Sequence, residues 1–191
     1  MKLFLIRHGQ TDWNLKGKIQ GSCDIELNDI GIKQAEELSN KILEEGYKFS
    51  KIYSSLQRRA AKTAEILSHA TNIDYILIKG LEEMNLGKWE GLSWTEVKEK
   101  YPIEYGKWYI NRKYTKTPMG ESYQDLLERV LPVMHKIINE NSEDVLIVTH
   151  SAVIMSIQCY LTNTPFEEMV KFRTGNTSIT EIDIKLLIQR K

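Results

Sequence analysis

Leu3-Phe4-Leu5-Ile6-Arg7-His8-Gly9 is the stretch that decides the fold, because an apolar run stops there abruptly at two basic residues and a glycine. A short apolar run bounded by glycine predicts a buried strand. Strands that are apolar on both faces belong to parallel sheets covered by helices on each side, and such sheets bind ligands beyond the carboxyl ends of their strands. Arg7 and His8 are therefore expected at a ligand site.

A second apolar run, Val145-Leu146-Ile147-Val148-Thr149, places His150 and Ser151 at its own carboxyl end. The carboxyl ends of parallel strands meet at one edge of a sheet, so we expect His8 and His150 to lie near each other. A single histidine at a strand end is more often structural than functional. Two histidines at the same edge, one of them beside Arg7, favour a functional site.

The composition predicts a single α/β domain over residues 1–191, with a lid insertion at about 89–123. The 26 basic and 26 acidic residues cancel, so no overall field attracts nucleic acid or an anionic membrane. The first apolar run is too short for a signal peptide, and no run could span a membrane. Cys23 and Cys159 lack metal or disulfide spacing, so we expect a cytoplasmic protein.

The pattern of apolar positions and caps predicts alternating strands and helices, hence a three-layer α/β sandwich with helices on both faces of the sheet. The further strands are expected at 51–55, 75–78 and 178–184. The helices are expected after Asn28 or Asp29, over 59–70, after the capping boxes at Ser93 and Ser122, after His150, and after a cap at Thr164.

Two choices of site residue are left open by the residues alone. Arg58 and Arg59 both fall in the first turn of the helix at 59–70, where cations oppose the helix dipole unless an anion is bound. If the third strand is parallel, one or both of Glu82 and Glu83, just beyond it, would bring a carboxylate to the sheet edge that carries the histidines.

The lid insertion is rich in aromatic residues, with eight of the chain's seventeen aromatic side chains between residues 89 and 123. We expect a helical lid over the sheet edge. Its rings either form the lid's own core or contact the substrate.

This set of residues suits a phosphate better than a metal ion. Guanidinium groups repel cations and match phosphate oxygens in bidentate geometry, and no HxH or HExxH spacing is present. Neighbouring positive charge lowers the pKa of a histidine and keeps it a neutral nucleophile, while a protonated glutamate can protonate an alkoxide leaving group. Serine-type acyl transfer fits less well, since there is no G-x-S-x-G elbow. We expect neither metal nor cofactor.

A series of motifs runs in order along nearly the whole chain: Arg7-His8-Gly9, Asn14, Gln20-Gly21, Ser54-Ser55-x-x-x-Arg59-Ala60-x-x-Thr63-Ala64, Leu81-x-Glu83-x-x-x-Gly87-x-Trp89-Glu90-Gly91, Gly120-Glu121-Ser122 and the strand ending in His150. Together these motifs resemble the histidine phosphatase (phosphoglycerate mutase-like) superfamily. The resemblance implies a mixed, mainly parallel sheet with helices on both faces.

The resemblance also implies roles for individual residues. His8 would form a phosphohistidine, and Glu83 would donate a proton and then act as the base for water. His150 would be catalytic and bind the phosphoryl group, together with the implied substrate-binding residues Arg7, Asn14, Gln20, Gly21, Arg59 and Ser151. Arg59 is thereby favoured over Arg58, and Glu83 over Glu82.

The chain departs from the family pattern at Leu56 and Gln57, where an acidic residue or proline and then leucine are common, and at Ser151, where glycine is usual. It is also shorter than the glycolytic mutases, which have a longer insertion and a C-terminal tail. A mutase must shield its phosphoenzyme from water, so the shortness favours a phosphatase.

These observations predict a metal-independent phosphomonoesterase of the small phosphatase branch, similar to broad-specificity phosphatases and to the α-ribazole phosphatases of cobalamin synthesis. The alternatives are a phosphoglycerate mutase and a non-catalytic module that binds a phospho-ligand. The expected partner is a small phosphate monoester, and the aromatic lid favours α-ribazole phosphate or aryl phosphates over 3-phosphoglycerate. A homodimer is a further expectation.

Overall fold

The computed structural model of this protein describes residues 1–188, and its centre is a mixed sheet with strand order β3-β2-β4-β1-β5. The strands are β1 Lys2–Arg7, β2 Lys51–Ser54, β3 Tyr75–Leu77, β4 Val145–Thr149 and β5 Ile179–Asp183. The first four run parallel, and β5 pairs antiparallel with β1 at one edge. The predicted mixed, mainly parallel sheet is confirmed.

Helices cover both faces of the sheet. They are α1 Asp12–Leu15, α2 Asp29–Glu44, α3 Arg58–Thr71, α4 Trp94–Lys100, α5 Pro102–Ile110, α6 Tyr123–Glu140, α7 Ser151–Thr162 and α8 Ile184–Ile188, with 3₁₀ turns at Gly87–Trp89 and Phe166–Phe172. Apolar residues of α2 and α3 pack in one core cluster, and those of α6 and α7 pack in the other. The protein is therefore a three-layer α/β sandwich.

Strand β1 explains why both faces need a covering layer. Leu3 and Leu5 point into the α6–α7 core, whereas Phe4 and Ile6 point into the α2–α3 core, and all four side chains are buried. Successive side chains of a strand point to opposite faces, and each such burial stabilises the fold by about 1.5–3 kcal/mol. An apolar run without alternation can satisfy this arrangement only in a sheet covered on both sides.

The side-chain caps expected from the sequence begin three of the helices. Asn28 caps α2, and the boxes at Ser93 and Ser122 cap α4 and α6 with both reciprocal bonds in place. The expected cap at Thr164 is wrong, because Pro165 occupies the cap position without a side-chain bond and the following segment is a 3₁₀ turn.

Helix α6 continues through Pro132, and the last helix, α8, follows β5 directly. All three residues of β3, which lies at one edge of the sheet, are exposed. Across residues 1–188, no helix is long and apolar enough to cross a lipid bilayer. Cys23 and Cys159 are free thiols.

Candidate active site

Strands β1 and β4 bring the two predicted histidines side by side. Arg7 lies opposite Thr149 in the parallel register, and the backbone N–H of His8 donates to the Thr149 carbonyl at 3.0 Å. The His8 and His150 rings follow immediately, with their centroids 5.1 Å apart, and both side chains are buried. Adjacent parallel strands thus deliver both histidines to one point, as the sequence predicts.

His8 is arranged as a neutral nucleophile. Its Nδ1 lies 2.7 Å from the Gly9 carbonyl oxygen, which can only accept, so Nδ1 carries the proton and Nε2 keeps its lone pair. Burial lowers the pKa of His8 well below its usual 6.5, and the charges of Arg59 and Arg7 lower it further. A β-carbon at position 9 would lie 2.4 Å from the Gly31 carbonyl oxygen, so the turn after His8 requires glycine.

Arg59, in the first turn of α3, is fully buried and points toward His8 and the loop at residues 21–23. Its two terminal nitrogens donate to the carbonyls of Cys23 at 2.7 Å and Gly21 at 2.9 Å. Arg58 instead lies on the surface and pairs with Asp24 and Glu26. The structure therefore selects Arg59, which the resemblance favoured and the spacing alone did not.

Gly21 acts on the site through its backbone. It has a φ of +51°, and a β-carbon there would lie 2.1 Å from a carboxylate oxygen of Glu90. The carbonyl of Gly21 accepts from both Arg59 and the Gln57 side chain. Gly21 lines the cavity, and its carbonyl also holds Arg59 in place.

Arg7 and His150 also place side-chain nitrogen atoms near His8. Arg7 donates to the Thr174 carbonyl at 2.7 Å, and His150 Nε2 lies 2.9 Å from the Ser55 hydroxyl. Burial lowers the pKa of His150 well below 6.5, with Arg59 and His8 adding to the effect. Three buried nitrogens, Nε of Arg7, Nε of Arg59 and Nδ1 of His150, have no hydrogen-bond partner within residues 1–188.

Glu83, and not Glu82, faces the cavity that contains His8. The Glu83 carboxylate accepts from Met84 N at 2.9 Å and from Ala152 N at 3.2 Å, so it lies against the N-terminus of α7. Glu82 accepts from Gly80 N and lies 3.8 Å from an Arg129 nitrogen, away from the cavity. The second open choice is decided in favour of Glu83.

Two residues that hold the Glu83 loop escaped the sequence analysis as functional residues. The Gln57 side chain donates to the Gly21 carbonyl at 3.0 Å and accepts from Glu83 N at 2.8 Å, so it links the loops of Arg59 and Glu83. Arg129 donates to the Glu83 carbonyl at 3.0 Å and pairs with Glu121. Both side chains form hydrogen bonds with backbone atoms of segments that are far away in the sequence. Two features of the sequence could have indicated these roles: Gln57, which departs from the family pattern, and the Gly120-Glu121-Ser122 motif that provides the partner of Arg129.

Asn14, Gln20 and Ser151, which the resemblance implies as substrate-binding residues, all line the cavity. Asn14 Oδ1 closes the capping box of α1 by accepting from Thr11 N, and Gln20 Oε1 accepts from the Thr11 hydroxyl. Asn176, which the sequence analysis missed, also lines the cavity and donates to the His8 carbonyl at 2.9 Å.

The cavity beside His8 has a volume of about 590 Å³ and is closed on one side by the lid. Trp94, Tyr105, Trp108, Tyr109 and Tyr123 line it. Trp89 is fully buried, and its ring packs edge-on against Trp108 at 5.3 Å. Some lid rings therefore form the lid's own core while others face the cavity. Arg59 and His150 are fully buried and are not among the residues that line the cavity.

Two buried histidines, the buried guanidinium group of Arg59, the partly buried one of Arg7 and a carboxylate lie at the carboxyl edge of this sheet. They define an α/β protein suited to phosphoryl chemistry at a histidine. Within the described part of the chain, no group of three or more His, Cys, Asp or Glu side chains is arranged to hold a metal ion. The chain belongs to the histidine phosphatase superfamily (branch 1), whose family model matches residues 3–186.

The relatives of this chain include a phosphoserine phosphatase and several proteins with a fructose-2,6-bisphosphatase in their names. It is 31% identical to a metal-independent phosphoserine phosphatase of Arabidopsis thaliana, over 84% of this chain and 68% of the relative. The match covers 29% to 34% of the length of the 6-phosphofructo-2-kinase/fructose-2,6-bisphosphatase 3 and 4 relatives.

Two solved structures share the fold over nearly their whole length. Phosphoserine phosphatase of Entamoeba histolytica, in complex with 3-phosphoglyceric acid, has a TM-score of 0.84 and 33% identity, covering 96% of this chain and 91% of that chain. The α-ribazole phosphatase of Shigella flexneri has a TM-score of 0.83 and 27% identity, with 96% and 90% covered. This protein is a phosphatase of the same superfamily.

Proposed function

We propose that this protein is a metal-independent phosphomonoesterase that works through a phosphohistidine on His8. The observation that carries the proposal is a set of buried nitrogens near His8 without a hydrogen-bond partner in residues 1–188, namely the guanidinium donors Arg7 Nε and Arg59 Nε and the ring nitrogen Nδ1 of His150. Leaving a buried donor without a partner costs about 1–3 kcal/mol. A phosphoryl group has oxygens that can accept from both guanidinium donors, and its charge matches the two guanidinium groups.

In the first step, Nε2 of His8 attacks phosphorus and the bond from phosphorus to the ester oxygen breaks. The lone pair is available because Nδ1 already donates to the Gly9 carbonyl. Glu83, in its protonated form, transfers its proton to the departing alcohol oxygen and becomes a carboxylate. Arg7 and Arg59 stabilise the charge on the phosphoryl oxygens in the transition state.

In the second step, the Glu83 carboxylate accepts a proton from water, and the water oxygen attacks phosphorus. The nitrogen–phosphorus bond breaks, which releases inorganic phosphate and restores neutral His8 and protonated Glu83. No cation is required, since guanidinium groups supply the positive charge that a metal ion supplies in other phosphatases.

α-Ribazole phosphate is a candidate substrate, and the half-exposed ring of Trp94 is the observation that favours it. Trp94 is 40% exposed, lines the cavity and stacks on Trp108 at 5.4 Å, so it offers a free face for a flat alcohol group. A Trp94→Ala variant should then lose more kcat/KM on α-ribazole phosphate than on a ring-free sugar phosphate. Equal losses of kcat/KM on the two substrates would remove α-ribazole phosphate as a candidate. The alternative of a mutase would be favoured if the protein isomerised phosphoglycerate faster than it hydrolysed it.

Rapid quench with ³²P-labelled phosphate ester tests the main proposal. Wild-type protein should yield an acid-labile, base-stable phosphoenzyme within one turnover. His8→Ala should lose both this species and steady-state turnover by several orders of magnitude while keeping its thermal midpoint. Turnover that persists in His8→Ala would refute the nucleophile and would leave a binding module or another enzyme class.

We also propose a cellular location and an oligomeric state for this protein. A cytoplasmic location is supported by the two free thiols. A homodimer is supported by the exposed apolar edge strand β3, and light scattering at micromolar concentration checks it.

A further inference from the structure

Gln57 lies immediately before α3, and its side chain bonds to two loops of the site. The amide nitrogen donates to the Gly21 carbonyl at 3.0 Å, and the amide oxygen accepts from the backbone N–H of Glu83 at 2.8 Å. The residue is 7% exposed and is not among those that line the cavity. Gln57 can therefore act on the reaction only through the residues that it holds.

The side chain of Gln57 does not serve the helix that it precedes. Gln57 occupies the cap position of α3, but its side chain makes no capping hydrogen bond. Helices α2, α4 and α6 begin instead with good capping residues, namely Asn28, Ser93 and Ser122. Leucine, which is common at position 57 in the family pattern, could form neither bond to the two loops. The role of this side chain is thus to connect the loops.

The peptide group that precedes Glu83 is bonded at both of its polar ends. Its carbonyl, that of Glu82, accepts from Arg129 at 2.9 Å, and its N–H donates to Gln57. The carbonyl and the N–H of a planar trans peptide point to opposite sides. Both bonds together prevent the peptide plane from turning, whereas the Arg129 bond alone would let it pivot. The Gln57 bond therefore fixes the direction in which the Glu83 side chain leaves the backbone.

The bonds that the Glu83 carboxyl group itself accepts cannot hold it equally well throughout the proposed reaction. They come from Met84 N at 2.9 Å and Ala152 N at 3.2 Å. The group is protonated before the first step and ionised after it, and hydrogen bonds to an ionised group are roughly twice as strong as those to a neutral one. The amide of Gln57 stays neutral and binds a backbone N–H, so this bond is the same in both steps.

We infer that Gln57 is a positioning residue that keeps the Glu83 carboxyl group in reach of the ester oxygen. The inference rests on the proposed phosphatase function, because it concerns the group that protonates the leaving alcohol. A displacement of about 1 Å can slow such a step by about 10²-fold. Phosphate binding should not depend on Gln57, since Arg59 keeps its own bonds to the Gly21 and Cys23 carbonyls.

The test measures phosphoenzyme formation in single turnovers of wild-type and Gln57→Leu proteins. The alkyl esters O-phosphoserine and glucose 6-phosphate need a proton on the leaving oxygen, whereas p-nitrophenyl phosphate does not. We expect the ratio of the rate constant for the better alkyl ester to that for p-nitrophenyl phosphate to fall about 10- to 100-fold in the variant. The inhibition constant of inorganic phosphate should stay within about twofold of its wild-type value.

A double variant and a matched control distinguish positioning from a general loss of stability. Glu83→Gln protein has no acid to misplace, so adding Gln57→Leu to it should change the rate for the alkyl ester by less than about twofold. Asn141→Leu is the control, because its amide nitrogen also makes two hydrogen bonds, to the Tyr53 hydroxyl at 2.9 Å and the Ile137 carbonyl at 2.7 Å, away from the cavity. It should leave the ratio unchanged.

Three results would overturn the inference: an unchanged ratio in Gln57→Leu, an equal fall in Asn141→Leu, or fully additive effects of Gln57→Leu and Glu83→Gln. If the wild type hydrolyses none of the three esters, the proposed function fails instead.

Hydrogen exchange followed by NMR then still decides about Gln57. The Glu83 amide should exchange about tenfold faster in Gln57→Leu than in the wild type, while that of Ile147 in β4 stays unchanged. Equal protection of the Glu83 amide in both proteins would refute the role of Gln57 in holding this loop.

Discussion

Replacing Glu83 with glutamine should separate the two chemical steps and thereby test the role of this side chain. A general acid in this position contributes about 10²–10⁴-fold to the release of a poor leaving group. Release of p-nitrophenolate needs no proton, because that anion is already stabilised. We therefore expect Glu83→Gln to slow phosphoenzyme formation from a sugar phosphate by 10²–10⁴-fold, and from p-nitrophenyl phosphate by less than about tenfold.

The structure indicates that this change perturbs chemistry more than folding. Glu83 Oε1 accepts from both Met84 N at 2.9 Å and Ala152 N at 3.2 Å, and the glutamine carbonyl can keep both bonds. The second contact of Ala152 N, with Oε2 at 3.3 Å, is the bond that an amide nitrogen cannot replace. Its loss costs about 0.5–1.5 kcal/mol, so the protein should remain folded.

Stopped-flow measurement of p-nitrophenol release by the Glu83→Gln variant tests this prediction. Because Glu83 also serves as the base for water, the variant should show a fast burst of one equivalent followed by slow turnover, with the phosphoenzyme accumulating. Glu82→Gln is the matched control, since Glu82 lies beside Glu83 in the chain but bonds to Gly80 N. Equal slowing of both substrates in the first step, or a larger effect of Glu82→Gln, would refute the assigned role.

Two further predictions concern metal ions and pH. Exhaustive treatment with EDTA should leave kcat within about twofold of its original value, because Arg7 and Arg59 provide the positive charge; loss of activity that magnesium restores would contradict the proposed mechanism. The pKa values of His8 and His150 are lowered from 6.5 in the folded state, so below pH 6.5 the unfolded chain binds more protons than the folded one. The free energy of unfolding should therefore be highest above pH 6.5 and fall as the pH decreases toward 5, by at most about 1.4 kcal/mol per histidine for each pH unit. Urea denaturation from pH 7.5 to 5 measures this, and a His8→Ala variant with an equally steep dependence would show that burial of neutral His8 is not a cause.

Much of the fold and the centre of the site could be predicted from local patterns. The run before Arg7 predicts a doubly covered strand because no alternating surface strand has four consecutive apolar residues. Parallel strands share an edge, so the same pattern places His8 beside His150. The box at Ser122 likewise predicts the start of α6, since the cap bonds connect residues three apart in the chain.

Other parts of the site depend on contacts between segments that are far apart in sequence. Arg58 and Arg59 have the same local environment in the chain, and only packing against the loop at residues 21–23 buries one of them and exposes the other. Asn176 reaches the His8 carbonyl across 168 positions, and no local spacing indicates that contact.

The sequence by itself determined the α/β class, the strand that presents Arg7 and His8, and the second strand that presents His150, because each depends on periodicity and on a sharp end to an apolar run. The tertiary structure decided which arginine is buried near His8, which glutamate faces the cavity, and that Arg112 lies buried beside the rings of Trp108 and Tyr109. Burial and charge pairing are properties of the surrounding segments, which the pattern along one stretch of chain does not contain.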